Sequence, residues 1–229
     1  MSAESALTQE DVIPQLWQEY CRDKEYLSGA KFGIRRDHQI VLQREEGGLN
    51  MLYKRYVQRA SYQKVISPFG IIEEIKDMHN LLFKYVFPNR GEYRNEERRI
   101  GDYYDESMKL PLPVEIPSKM AEYAGWLNRL DLHTIGGYIE KCYLLAEIHL
   151  RLVMIHPFMD GNGRIARAVA DKYAIKMGLP PVLEGYPRIV KQQQKKYHEA
   201  IKLSRMGRDV KPLALWIKSY LDTMMEKLA

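Results

Sequence analysis

Cysteine is almost missing from this chain. Two occur in 229 residues, Cys21 and Cys142, too far apart in sequence to read as a ligand or redox pair. A disulfide framework and a cysteine zinc site are thereby excluded. No apolar stretch reaches 18 residues, so no membrane span is expected. Met1–Asp11 has no basic segment leading into an apolar run, so no secretory leader is expected and the cytoplasm is the expected location. P-loop and G-x-S-x-G strings are absent, and His198-Glu199 lacks the second histidine a zincin needs. There is no internal repeat and no low-complexity tract.

What is present fits a folded chain. Hydrophobic residues make up 45% and charged residues 28%, which argues against disorder. The net charge of +5 is uneven. Residues 188–211 carry eight basic residues against Glu199 and Asp209, and the remainder is near neutral. That run reads as the solvated face of a helix, with a nucleotide, nucleic acid or an acidic partner as the rival readings.

Apolar spacing gives a mainly helical architecture. A helix is expected after Thr8-Gln9-Glu10-Asp11 and a weak hairpin over Lys31–Gln43. Gly47-Gly48 should act as a break, with a further helix over Met51–Lys64. Ile71, Ile75, Met78 and Leu82 recur at helical steps after Pro68. Glu92–Pro117 has no helical period and reads as a loop or short hairpin. Helices resume at Ser118, at Tyr138–Ile155, after Gly163 as far as Gly178, at Lys191–Ser204 and from Pro212 onward. Tyr138–Ile155 is apolar on most sides and belongs in the middle of the fold.

The chemistry concentrates in His156-Pro157-Phe158-Met159-Asp160-Gly161-Asn162-Gly163-Arg164-Ile165-Ala166-Arg167, a corner between two helical patterns. Pro157 stops the incoming helix. Gly161 and Gly163 permit sharp angles and close approach of a ligand. The helix that starts here offers amides and its positive end to an anion, phosphate above all. Arg164 and Arg167 stand three apart and could clamp further phosphate oxygens. Asp160 offers a hard oxygen suited to Mg²⁺. His156 could accept a proton near neutral pH. G-x-G-x-x-A at Gly161–Ala166 also fits a dinucleotide fingerprint, but no strand–helix alternation surrounds it.

The string resembles the signature of the Fic family, His-x-Phe-x-(Asp/Glu)-Gly-Asn-Gly-(Arg/Lys)-x-x-Arg, at every fixed position. The likeness extends over about Pro68–Met224, through Ala146–Ile155, His79–Phe83, Gly91–Arg94 and Tyr197–Ile201. It implies a Fic-type helical bundle with a β-hairpin flap near Tyr93–Leu110. Residues 66–229 would form that domain and residues 1–65 an N-terminal extension. Those first residues are left to dock a target, to mediate self-association as a homodimer, or to complete the core. By the resemblance, AMP moves from ATP to a Ser, Thr or Tyr hydroxyl of a target protein docked on the flap. His156 is then the general base. Asp160 holds Mg²⁺, and Gly161, Asn162 and Gly163 bind phosphates, with the Asn162 side chain assisting. Arg164 supports the cradle, Arg167 takes the γ-phosphate and Phe158 anchors the loop.

UMP or phosphocholine transfer, or removal of AMP, stay open on the same fold, as does a nucleotide-binding interaction module. So does delivery into a host cell as an effector. Self-inhibited relatives carry a (Ser/Thr)-x-x-x-Glu-(Gly/Asn) helix. Only Ser118–Glu122 approaches it, and it reads as an ordinary helix start. A separate antitoxin-like partner is therefore expected to supply any inhibitory glutamate. His149 reads as a core histidine. The Arg98-Arg99 and Tyr103-Tyr104 cluster could grip RNA, but without an RNA-binding signature nucleic acid is not an expected partner.

Overall fold

Helix α4, Tyr138–Ile155, is the element around which the others gather. The computed structural model describes residues 39–60, 66–84, 86, 89–98, 109–181 and 191–228. Among these, seven α-helices occur and no strand. They are α1 (Gln39–Leu52), α2 (Pro68–Leu82), α3 (Ile116–Asn128), α4, α5 (Asn162–Lys176), α6 (Lys191–Gly207) and α7 (Lys211–Leu228). A π-helical turn, Tyr53–Val57, extends α1.

The boundaries follow from local chemistry. The Ser67 hydroxyl accepts the Gly70 N–H at 3.2 Å and Pro68 opens α2. The Glu140 carboxylate accepts the Gly137 N–H ahead of α4. α4 ends where His156 turns left-handed (φ 50°, ψ 57°) and Pro157 cannot continue it. α5 ends near Gly178, at φ 74°.

α4 is buried on most of its sides, as its composition predicts, and packs against α3, α5, α6 and α7. Leu145, Ile148 and Leu152 meet Ile165, Ala166 and Val169 of α5 and Leu213, Ile217 and Leu221 of α7 in one apolar core. On the other side α2 lies between α1 and α3. The helices expected from Pro68, Tyr138, Gly163, Lys191 and Pro212 are all present. Cys142 is buried in α4, its thiol pKa pushed up to about 11 by burial.

Two expectations fail. Residues 39–43 are helical, not extended, and α1 runs straight through Gly47-Gly48. A Cβ on Gly48 would lie 2.3 Å from the Leu82 carbonyl oxygen and 2.6 Å from that of Leu81. The glycine is there to let α1 touch the backbone of α2, and it does not break the helix. Leu52, Tyr53 and Val57 belong to the common core, with Leu49 and Tyr56 packed against it, so this segment helps complete it. The helix expected after Thr8 and the rest of the Lys31–Gln43 hairpin lie outside the described residues. Of the flap expected at Tyr93–Leu110, residues 93–98 and 109–110 are irregular and 99–108 lie outside the described residues, with Arg99, Tyr103 and Tyr104.

The basic run keeps a largely solvated face. Lys195, Lys196, Arg208 and Lys211 are exposed, but Arg205 is buried in α6. No described helix is long and apolar enough to cross a membrane. Substituting Gly48 by Ala should destabilise the protein by about 2–3 kcal/mol, because a backbone carbonyl cannot step aside. Substituting Gly47, which has nothing within 4 Å of its added Cβ, should instead stabilise by up to about 1 kcal/mol. Urea unfolding of the two variants measures the contrast.

Candidate active site

The corner between α4 and α5 is closed by a single amide. Asn162 Oδ1 accepts the Phe158 N–H and Asn162 Nδ2 donates to the Phe158 carbonyl, both at 2.8 Å. Gly161 precedes it at φ 76°, and a Cβ there would lie 2.5 Å from the Phe83 ring. Both conformation and space therefore require glycine. The Ile165 N–H donates to the Gly161 carbonyl, starting α5. Amides of that first turn have no intrahelical acceptor and face the loop. The Asn162 side chain is bonded within the loop itself.

Phe158 is fully buried and stacks on His79 at 4.0 Å between centroids. His79 was not singled out as a site residue, yet it ties three segments together. Its Nδ1 accepts the Gly91 N–H at 2.8 Å, which leaves Nε2 to donate to the Asp160 carbonyl at 3.1 Å. Burial pushes its pKa down to about 3, so the ring is neutral.

Arg94 is the second brace missed from the sequence. It is 2% exposed. Its Nε donates to the His156 carbonyl, Nη1 to the Glu96 carbonyl and Nη2 to the Pro111 carbonyl, at 2.8, 2.8 and 2.6 Å. Its own N–H donates to the Pro157 carbonyl. One guanidinium thus pins the chain on both sides of residues 99–108 to the backbone of His156. Only the long-range fold reveals this, since Arg94 and His156 are 62 residues apart.

The half-buried His156 sits in the left-handed region, a strained state for a residue with a Cβ. Burial pushes its pKa down to about 4 and the Arg94 charge adds to this, as does that of Arg205. The Val153 carbonyl and Asp160 oppose it. At neutral pH the imidazole is an unprotonated base. Lys109, Leu110, Pro111, Leu112, Met154 and Ile155, the last preceding His156 in the chain, line an open groove of about 560 Å³.

The two arginines diverge instead of forming one clamp. Arg164 turns into the core, where Nη1 meets Glu45 Oε2 of α1 at 2.7 Å and the guanidinium lies over the Phe83 ring. Both partners are nearly inaccessible, and Arg164 Nη2 also lies 3.7 Å from Asp160 Oδ1, so removing Arg164 would strand the Glu45 carboxylate. Arg167 points toward α6, where Nη1 donates to the Tyr197 hydroxyl at 3.4 Å. Glu122 is exposed and paired with Lys119 at 3.0 Å, as an ordinary surface residue of α3. His149 is fully buried, as expected of a core histidine.

Asp160 Oδ1 accepts the Gly161 N–H at 2.6 Å, which places its carboxylate beside the start of α5. No group of three or more His, Cys, Asp and Glu among the described residues is placed to hold a metal ion. The donor set suits a cation shared between one carboxylate, phosphate oxygens and water, the habit of Mg²⁺.

Fold and loop define a helical protein with a neutral base and an anion-receptive helix start at one corner. The profile of the Fic/DOC family matches residues 69–174, so the chain carries a Fic/DOC-family domain. Curated proteins named "Protein adenylyltransferase Fic" from Drosophila erecta and Drosophila melanogaster are each 30% identical over 176 residues, 76% of this chain. The chain spans about a third (32%) of the length of these relatives. Among solved structures, a fragment of Fic-1 from C. elegans shares the fold, with TM-score 0.66 and 22% identity over 90% of this chain and 55% of that one. BepC, an effector from Bartonella tribocorum solved with bound AMPPNP, has TM-score 0.59 and 15% identity over 86% and 96%.

His79, His149 and the half-buried His156 give stability a defined pH dependence. His79, His149 and His156 are held at about 3, 3 and 4, against about 6.5 in an unfolded chain. Between pH 4 and 6.5 the unfolded chain therefore binds more protons, so stability rises with pH across that window and is complete above it. The urea midpoint should fall clearly from pH 7 to pH 5; an unchanged midpoint would contradict these assignments.

Proposed function

We propose that this chain is a protein adenylyltransferase, moving AMP from ATP to a hydroxyl side chain of a target protein. The observation that carries the reading is the neutral His156 imidazole fixed beside an anion-receptive helix start within one braced loop. The relatives' printed names support it, as does AMPPNP in the BepC structure.

The target hydroxyl oxygen attacks the α-phosphorus and its proton passes to His156. The bond from that phosphorus to the bridging oxygen breaks, and pyrophosphate leaves. Such transfers need positioning and charge stabilisation more than covalent help from the protein. Backbone amides of Asn162 and Gly163 receive phosphate oxygens, that of Gly161 joins them when Asp160 Oδ1 releases it, and Arg167 faces the terminal phosphate. Arg164 acts from behind, holding the first turn of α5 against α1 through Glu45. Asp160 would hold Mg²⁺ together with the phosphates, and the ion would supply positive charge to the triphosphate. The groove between Lys109–Leu112 and Met154–Ile155 offers the target a place next to His156. A separate partner supplies any inhibitory glutamate, since Glu122 is committed to the surface of α3.

Incubation of a lysate with Mg²⁺ and ATP labelled at the α- or the γ-phosphate tests the reading. Label should reach protein from the α-position only, and His156→Ala should lower the rate by at least about a hundredfold. Transfer of γ-label, or equal labelling by the variant, would refute it.

A further inference from the structure

His149, Tyr197 and Arg167 come from three helices and form one hydrogen-bonded line. His149 lies two turns before His156 on α4 and is 0% exposed. Its Nε2 is 2.6 Å from the Tyr197 hydroxyl of α6. Tyr197 is 1% exposed, and its hydroxyl receives the Arg167 N–H from α5. The guanidinium carbon lies 5.8 Å from the centre of the Tyr197 ring. Tyr197 also packs on Trp216 of α7, at 5.0 Å between ring centroids, so the ring is fixed on several sides.

A core histidine and a core tyrosine need not meet at all, and here their meeting ends on the one motif arginine that does not turn into the core. Arginine only donates, and the Tyr197 oxygen is an acceptor within its reach. Burial and the Arg167 charge hold the His149 pKa at about 3. A neutral ring keeps the hydroxyl in place in either tautomer, whereas a charged one would repel the guanidinium.

We propose that Tyr197, itself held by His149, is a positioning residue that aims Arg167 at the terminal phosphate and so sets the preference for nucleoside triphosphate over diphosphate. This rests on the reading of Arg167 given above. Tyr197 does not touch the reacting atoms. It restricts a long side chain that would otherwise lose rotamer freedom on binding. Its contribution therefore depends on a ligand that reaches Arg167.

Calorimetric titration of the full chain with Mg²⁺–AMPPNP and with Mg²⁺–ADP tests this without requiring turnover. Tyr197→Phe keeps the ring and removes the hydroxyl. It should weaken AMPPNP binding by about threefold to tenfold, the scale of one hydrogen bond, and leave ADP within about twofold. In an Arg167→Ala background the same substitution should change neither affinity, as expected for residues that act as a pair. His149→Gln, whose amide can still accept the hydroxyl hydrogen, should keep most of the discrimination, and His149→Leu should lose it. Thermal melts identify any variant that fails to fold, and Tyr197→Phe alone then decides. Equal weakening of both nucleotides, no weakening, or full additivity with Arg167→Ala would overturn the inference. Wild-type protein that binds neither nucleotide would instead remove the nucleotide function beneath it.

Discussion

The amide of Asn162, bonded twice to the backbone of Phe158, closes the turn from Phe158 to Asn162 on which the rest of the site depends. Closing it forces Gly161 into the left-handed region, aims the first amides of α5 inward and drives the Phe158 ring into the core. A buried hydrogen bond contributes only about 1 kcal/mol net, but leaving its partners unmade costs more. The turn is therefore conditional on its neighbours. His79 seals the Asp160 side and Arg94 the His156 side, each using backbone carbonyls that would otherwise be buried unpaired.

These braces also set the electrostatics. The same burial that makes the loop rigid strips water from His156 and holds it neutral, with Arg94 and Arg205 reinforcing the effect. Local strain at His156 is the cost of placing a base at a helix end, and it persists because the surroundings fix it. Arg164 and Arg167 show how two like residues three positions apart take different tasks. One neutralises Glu45 inside the fold, and the other reaches the Tyr197 hydroxyl of α6.

Much of this was legible in the sequence. The helices starting at Pro68, Tyr138 and Lys211 follow from apolar periodicity and from proline and glycine punctuation. The loop from His156 to Arg167 announces itself because its chemistry is local. Long-range pairing was not legible. Nothing near Glu45 signals its bond to Arg164, and nothing near Arg94 signals its bonds to the distant carbonyls of His156 and Pro111. Gly48 misled for a related reason, because a glycine that breaks a helix and one that lets two helices touch look the same until the neighbour is known. The basic run of residues 188–211 was largely the solvated face it resembled, but buried Arg205 faces the site electrostatically.

The central claim is that buried bonds preform the loop and hold its base neutral before any ligand arrives. An NMR titration of the free protein's histidines, with His156→Ala to assign the resonance, measures this directly. The account predicts that His156 stays neutral down to about pH 5 and titrates near 4. Titration at or above the ordinary histidine value of about 6.5 would contradict it.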